Sequence, residues 1–101
     1  MAQDSGVMDE PDCHRFVHGV DGTEAQLVYR RNGRRLILVH TEVPDELSGR
    51  GVGGLLVKAA VDDARAKDST LVPRCPFARS WLERHPDQVD GVDIDWRDSP
   101  A

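Results

Sequence analysis

Hydrophobic and polar residues alternate through the first half of the chain. Residues 14–20 form a short candidate strand. Residues 24–30 place Ala25, Leu27 and Tyr29 on one side and Glu24, Gln26 and Arg30 mostly on the other, the period of a half-buried strand. Asp21-Gly22 between these runs is a hairpin turn signal, and Asn32-Gly33 after them is a stronger one. A third strand, 35–43, contains Leu36-Ile37-Leu38-Val39; four consecutive apolar residues predict a strand covered on both faces. Three strands joined by two tight turns make an antiparallel meander, which Pro44 ends.

The period then changes. Val52, Leu55, Leu56, Ala59 and Ala60 recur at helical spacing and predict an amphipathic helix over 51–67. Ser69 to Val72 is β-compatible and Pro73 stops it. A second helix, 77–84, carries Phe77, Trp81 and Leu82 toward the core, and His85-Pro86 breaks it. A helix between the third and fourth strands implies parallel pairing through a right-handed crossover. The expected fold class is therefore α/β in the α+β sense, a mixed, mostly antiparallel sheet in the order β-β-β-α-β-α. Residues 1–12 read as a disordered lead-in, 13–90 as one domain, and 91–101 as an acidic tail that either holds a short strand near Val92–Trp96 or is loose.

Composition narrows the classes. With 101 residues, 39% hydrophobic and 31% charged, the chain suits one soluble domain with a single core. Its formal net charge is −5, and Asp87, Asp90, Asp93, Asp95 and Asp98 against Arg97 supply most of the excess. An acidic surface tolerates a cationic substrate such as an amine. No basic stripe marks a nucleic-acid partner, and no apolar run approaches the length of a membrane span. Two cysteines, Cys13 and Cys75, make no disulfide framework and read as reduced thiols. The polar, acidic start is unlike a secretory signal, so a cytoplasmic location is expected, with the chain a monomer or weak homodimer.

The chemistry centres on Ser48-Gly49-Arg50-Gly51-Val52-Gly53-Gly54, between a strand and a helix. Glycines let backbone N–H groups approach an anion, and a helix start adds unsatisfied N–H groups and partial positive charge. Gly49-x-Gly51-x-x-Gly54 also fits a dinucleotide fingerprint, but two hairpins precede it where a strand–helix–strand unit is needed. The Gly-Lys-Ser/Thr ending of a P-loop is missing. An empty glycine-rich turn is the remaining alternative.

The neighbours of this loop give it context. His40-Thr41-Glu42-Val43-Pro44 precedes it, and Pro73-Arg74-Cys75-Pro76-Phe77 and Trp81-Leu82-Glu83-Arg84-His85-Pro86 follow. Over residues 14–90 this combination resembles the small single-domain members of the GNAT superfamily of acetyl-CoA-dependent N-acetyltransferases. The resemblance implies that the third strand splays from its parallel neighbour near Glu42-Val43 and admits the pantetheine arm there. It implies acetyl-CoA as co-substrate, with Val43, Ser48, Gly49, Arg50, Gly51, Val52, Gly53 and Gly54 around it, and an amine as acceptor. Ser48 stands where the family motif usually begins with Gln or Arg; its hydroxyl offers a helix cap or a phosphate contact, and Arg50 offers a compensating charge.

Amine acetylation needs a base for the amine, a donor for the thioester oxygen and, in some cases, an acid for the departing thiolate. A backbone N–H near Val43 suits the oxygen. His40 and Glu42 stand two apart on one strand face; His40 is a base candidate by residue type, and Glu42 by way of a raised pKa or a water. Cys75 is a candidate nucleophile or acid, or else a small buried residue. The superfamily often uses a tyrosine as acid on the helix after the fourth strand, whereas this chain has only Tyr29, in the second strand. A reduced chain without that tyrosine also suits a CoA-binding module with little catalysis, acting in regulation or protein contact. No metal is expected: His14 and His18 lie about 13 Å apart on a strand, too far to share one with Cys13. His85-Pro86-Asp87 matches a co-chaperone tripeptide from an all-helical fold and reads better as a helix stop. Trp81 reads as core.

Overall fold

The computed structural model describes residues 6–97. One sheet of six strands runs in sequence order: β1 (Val7–Glu10), β2 (Arg15–Val20), β3 (Thr23–Asn32), β4 (Arg35–Glu42), β5 (Thr70–Pro73) and β6 (Asp93–Ile94). Strands β1 to β4 are antiparallel, and β5 and β6 join in parallel. Helix α1 (Val52–Lys67) crosses over between β4 and β5, and α2 (Pro76–Arg84) follows β5. This is the expected mixed, mostly antiparallel α+β architecture.

Both helices pack on one face of the sheet. Ala25, Leu27 and Tyr29 of β3, Leu36 and Leu38 of β4 and Leu71 of β5 join Leu56, Ala60 and Ala64 of α1 and Ala78 and Leu82 of α2 in one buried cluster. Alternation along β3 and β4 puts every second side chain there, and the rest face away. Val17 and Val72 are buried outside that cluster, on the other face. Ile37 is only half-buried and Val39 is exposed, so the apolar run 36–39 has a helix layer on one side, not on two.

Several other local expectations shift. The hairpin between β3 and β4 pairs Asn32 with Arg35, so its central residues are Gly33 and Arg34 rather than Asn32 and Gly33. Gly33 alone takes a positive φ there, +62°, as a type II′ turn requires of its first central residue. The buried stripe of α1 is Val52, Gly53, Leu56, Val57, Ala60, Val61 and Ala64; Leu55 and Ala59 sit at its margin, because the helix also faces α2. Residues 7–10 were expected in the lead-in but form the edge strand β1. There Tyr29 donates its hydroxyl proton to Asp9 at 2.5 Å, and Arg31 stacks over the Tyr29 ring while bonding Asp63 of α1 at 2.9 Å. Residues 1–5 lie outside the described residues. The acidic tail contributes β6, where Asp95 N–H donates to Leu71 at 2.8 Å, before the described residues end. Among the described residues, no helix is long and apolar enough to cross a membrane.

Two irregularities create the site. Val28 pairs with His40 but Tyr29 pairs with Leu38, leaving Val39 as the extra residue of a β-bulge in β4. A bulge of one residue swaps the faces of everything beyond it. Pairing of β4 with β5 ends at Leu38 and Pro73, while β4 continues four residues further. From Val39 onward the two strands part.

Candidate active site

The parting is framed by backbone. The Leu38 carbonyl accepts N–H bonds from Arg74 (3.1 Å) and Cys75 (2.9 Å), and β4 then runs on without its parallel neighbour. Cys75 is the extended residue that opens α2. Its side chain is buried with the core, and its Sγ lies 3.2 Å from Thr41 Oγ1. The bulge explains that contact, since Thr41 pairs with core-facing Leu27.

A cleft of about 180 Å³ opens between the end of β4 and the starts of α1 and α2. It is lined by Val43, Ser48, Gly49, Gly51, Val52, Gly53 and Gly54, all expected around the co-substrate, and also by Leu47 and Phe77. Arg50 is exposed and lies outside this lining. Phe77, expected in the core, is 40% exposed and forms a cleft wall. Ser48 does not cap α1; the N-cap is Gly51, and no side chain caps it. The first helical bond is Leu55 N–H to Gly51 at 3.1 Å, which leaves the N–H groups of Val52, Gly53 and Gly54 without helical acceptors. An uncapped helix start opening on a cleft is the donor set that a pyrophosphate needs, so the residues fit that group.

The glycines have separate reasons. Gly49 and Gly51 take φ values of +81° and +75°, with nothing near the place of a side chain; the backbone path requires them. Gly53 and Gly54 are helical, but a Cβ at Gly53 would stand 2.6 Å from the Phe77 ring and one at Gly54 2.6 Å from Trp81 Nε1. These two let α1 approach α2. Trp81 is buried, as expected, and stacks on His85 with ring centroids 4.1 Å apart.

His40 and Glu42 stay together, but on the face away from Cys75 and Thr41. They pair with Val28 and Gln26 of β3, and His40 Nε2 lies 3.3 Å from Glu42 Oε2. A hydrogen-bonded line holds them across the sheet. Arg15 Nε donates to Glu10 (2.7 Å), Arg15 Nη1 to Gln26 Oε1 (3.0 Å), and Gln26 Nε2 to Glu42 Oε1 (2.7 Å). The Gln26 bond, then the His40 contact, lowers the Glu42 carboxyl below its usual 4.5, opposite to the raised pKa that a carboxylate base needs. Arg15, Gln26 and Thr41 carry no local sequence signal, because strand pairing over long separations brings them in. Tyr29, committed to Asp9, is pushed up to about 12 by burial and by that bond. Among the described residues, no group of three or more His, Cys, Asp or Glu could hold a metal ion.

Comparison with known proteins agrees with this geometry. The family described as GCN5-related N-acetyl-transferase matches residues 15–92. Protein NATD1 of Homo sapiens is 36% identical over 63 residues, 61% of this chain and 56% of the human protein; the Gallus gallus protein is 36% identical over the same length and is covered to 57%. The match thus spans little more than half the length of these relatives. A GCN5-like protein from Staphylococcus aureus, solved by NMR, superposes with a TM-score of 0.68 at 29% identity, over 90% of this chain and 91% of that one. The chain belongs to the GCN5-related N-acetyltransferase superfamily.

Proposed function

We propose that this protein transfers an acetyl group from acetyl-CoA to an amine. The observation that carries the reading is the uncapped start of α1, opening on a cleft that reaches Val43, just beyond the end of β4. In this reading the N–H groups of Val52, Gly53 and Gly54 hold the pyrophosphate, the pantetheine arm follows the unpaired edge of β4, and the thioester comes to rest beside Cys75.

His40 serves as base. Its Nε2 faces a carboxylate, which only accepts hydrogen bonds, so Nε2 carries the proton and Nδ1 is the open acceptor. Two routes fit Cys75. In the covalent route its sulfur bonds the acetyl carbon, the carbon–sulfur bond to CoA breaks, and CoA leaves as a thiol carrying the cysteine proton. The amine then attacks acetyl-Cys75, its proton passes to His40, and the cysteine sulfur recovers a proton. In the direct route the amine attacks the thioester and Cys75 protonates the departing CoA sulfur. Intact mass after exposure to acetyl-CoA separates them: a single acetyl adduct absent from Cys75→Ala marks the covalent route. Turnover across peptides, polyamines and small amines tests the function itself.

A second reading, a CoA-binding module with little catalysis, draws on Tyr29, whose hydroxyl is committed to Asp9 of the edge strand. Acetyl-CoA binding with no turnover on any amine would select it.

A further inference from the structure

Resting on the reading that the start of α1 holds acetyl-CoA, we propose that Trp81 is a further ligand residue there, its indole N–H donating to a phosphate oxygen of the co-substrate beside the backbone donors of Val52, Gly53 and Gly54. Trp81 lies on α2 and is only 9% exposed. Its Nε1 is aimed at the start of α1: a Cβ at Gly54 would stand 2.6 Å from that nitrogen, and Gly54 lines the cleft. Among the described residues, none accepts a hydrogen bond from Nε1. No fully buried side-chain nitrogen or oxygen among them lacks a partner, so this unbonded N–H reaches the surface at the edge of an otherwise buried ring. An indole nitrogen only donates, and a buried indole ordinarily finds an acceptor. Here the acceptor has to come from outside the chain.

The indole is held for that purpose. His85 stacks on it with ring centroids 4.1 Å apart and planes 18° apart, and His85 Nδ1 donates to the Trp81 carbonyl at 2.7 Å. The imidazole face opposes rotation of the indole, and Gly54 leaves open the space beside Nε1. A donor fixed before its ligand arrives loses little freedom on binding. The two glycines of α1 therefore face different chemistry. Phe77 beside Gly53 offers only hydrocarbon, whereas Trp81 beside Gly54 offers a donor. The N–H groups of a helix start point along its axis, and the indole comes from the α2 side, so an anion there meets donors from two directions. A pyrophosphate, with several unesterified oxygens, accepts from both at once.

The test follows the Trp81 Nε1–H signal by NMR of the isotope-labelled full chain, told from that of Trp96 with Trp96→Phe. The ligands are acetyl-CoA, inorganic pyrophosphate, which has no ring to shift the signal by itself, and S-acetylpantetheine, which keeps the arm and lacks phosphate. The expected result is saturable movement of the indole signal together with the Val52–Gly54 amides for both phosphate ligands, and an unmoved indole with S-acetylpantetheine. Trp81→Phe keeps an aromatic ring and removes the donor, so it should weaken acetyl-CoA binding about tenfold and leave S-acetylpantetheine binding unchanged. Backbone amides that saturate while the indole stays unmoved, or an equal loss for both ligands in Trp81→Phe, overturns the proposal and leaves the acetyl-CoA site standing. Backbone amides unmoved by millimolar acetyl-CoA overturn that site and the proposal with it. The indole signal is read in the unmodified chain, so the result does not depend on the variant folding.

Discussion

The Nε2 of His40 lies 3.3 Å from Glu42 Oε2, while the other Glu42 oxygen takes a 2.7 Å bond from Gln26. Gln26 in turn accepts from Arg15 at 3.0 Å, which fixes its amide so that nitrogen faces Glu42. The base candidate is thus held by residues on three strands. Replacing Gln26 with Leu removes the hydrogen bond that does most to lower the Glu42 carboxyl. Its titration, followed by carboxyl carbon NMR, should then move upward toward the ordinary carboxylate range. A group lowered in the folded state stabilises above its unfolded pKa and loses that contribution as pH falls, so Gln26→Leu should also weaken the acid dependence of stability that Glu42 supplies. An unmoved Glu42 titration would contradict the network.

Gly53 and Gly54 should respond differently to alanine. The atom that a Gly54 side chain would meet belongs to Trp81, buried and stacked on His85, so Gly54→Ala should cost roughly 1–3 kcal/mol of overpacking. The gain in helix propensity, about 1 kcal/mol, offsets only part of this. At Gly53 the obstacle is the far end of Phe77, which is exposed enough to swing aside. Gly53→Ala should be near neutral in urea unfolding yet weaken acetyl-CoA binding, because the displaced ring and the new methyl narrow the cleft. Equal destabilisation of the two variants would contradict this division.

Tyr29 predicts an alkaline loss of stability. Burial first, then the Asp9 bond, raises its hydroxyl from 10.0 to about 12. The folded state therefore holds a proton that the unfolded state releases, and stability is full below pH 10 and falls as pH rises to about 12. The loss should reach roughly 2–3 kcal/mol. Tyr29→Phe should remove this dependence and cost about 1–2 kcal/mol at neutral pH for the lost bond. Denaturant unfolding at stepped pH measures both, and an unchanged alkaline slope in Tyr29→Phe would refute the assignment.

Thr41 Oγ1 and Cys75 Sγ make a side-chain contact of 3.2 Å on the core side of the gap. Thr41→Val keeps the shape and removes the hydroxyl, so stability should change little while the rate of acetyl transfer falls about tenfold or more. Steady-state turnover, with unfolding as control, checks it. A rate within twofold of the unmodified chain would make the contact purely structural.

The elements were legible wherever order is local. The alternation in 24–30, the helical spacing after Val52 and the hairpin at Asp21-Gly22 each depend on neighbours in sequence, and each appears in the structure. What was hidden depends on partners far away. The bulge at Val39 is visible only through the pairing of β3 with β4, and it puts His40 and Glu42 on the open face while leaving them together. The edge strand β1 exists because β2 pairs with it and Asp9 meets Tyr29. The buried face of α1 is rotated from its apolar stripe because Gly53 and Gly54, silent in any hydrophobicity pattern, admit Phe77 and Trp81. In the loop, Ser48, Gly49, Gly51 and Val52 line the cleft, whereas Arg50, the residue with the most obvious chemistry, does not.

The claim that the start of α1 holds acetyl-CoA is tested most directly by titrating acetyl-CoA into the isotope-labelled protein, with calorimetry alongside. The prediction is saturable binding with the largest amide movements at Val52, Gly53 and Gly54, and weakened binding in Gly53→Ala. No binding at millimolar acetyl-CoA, or binding that leaves those three amides unmoved, would contradict it.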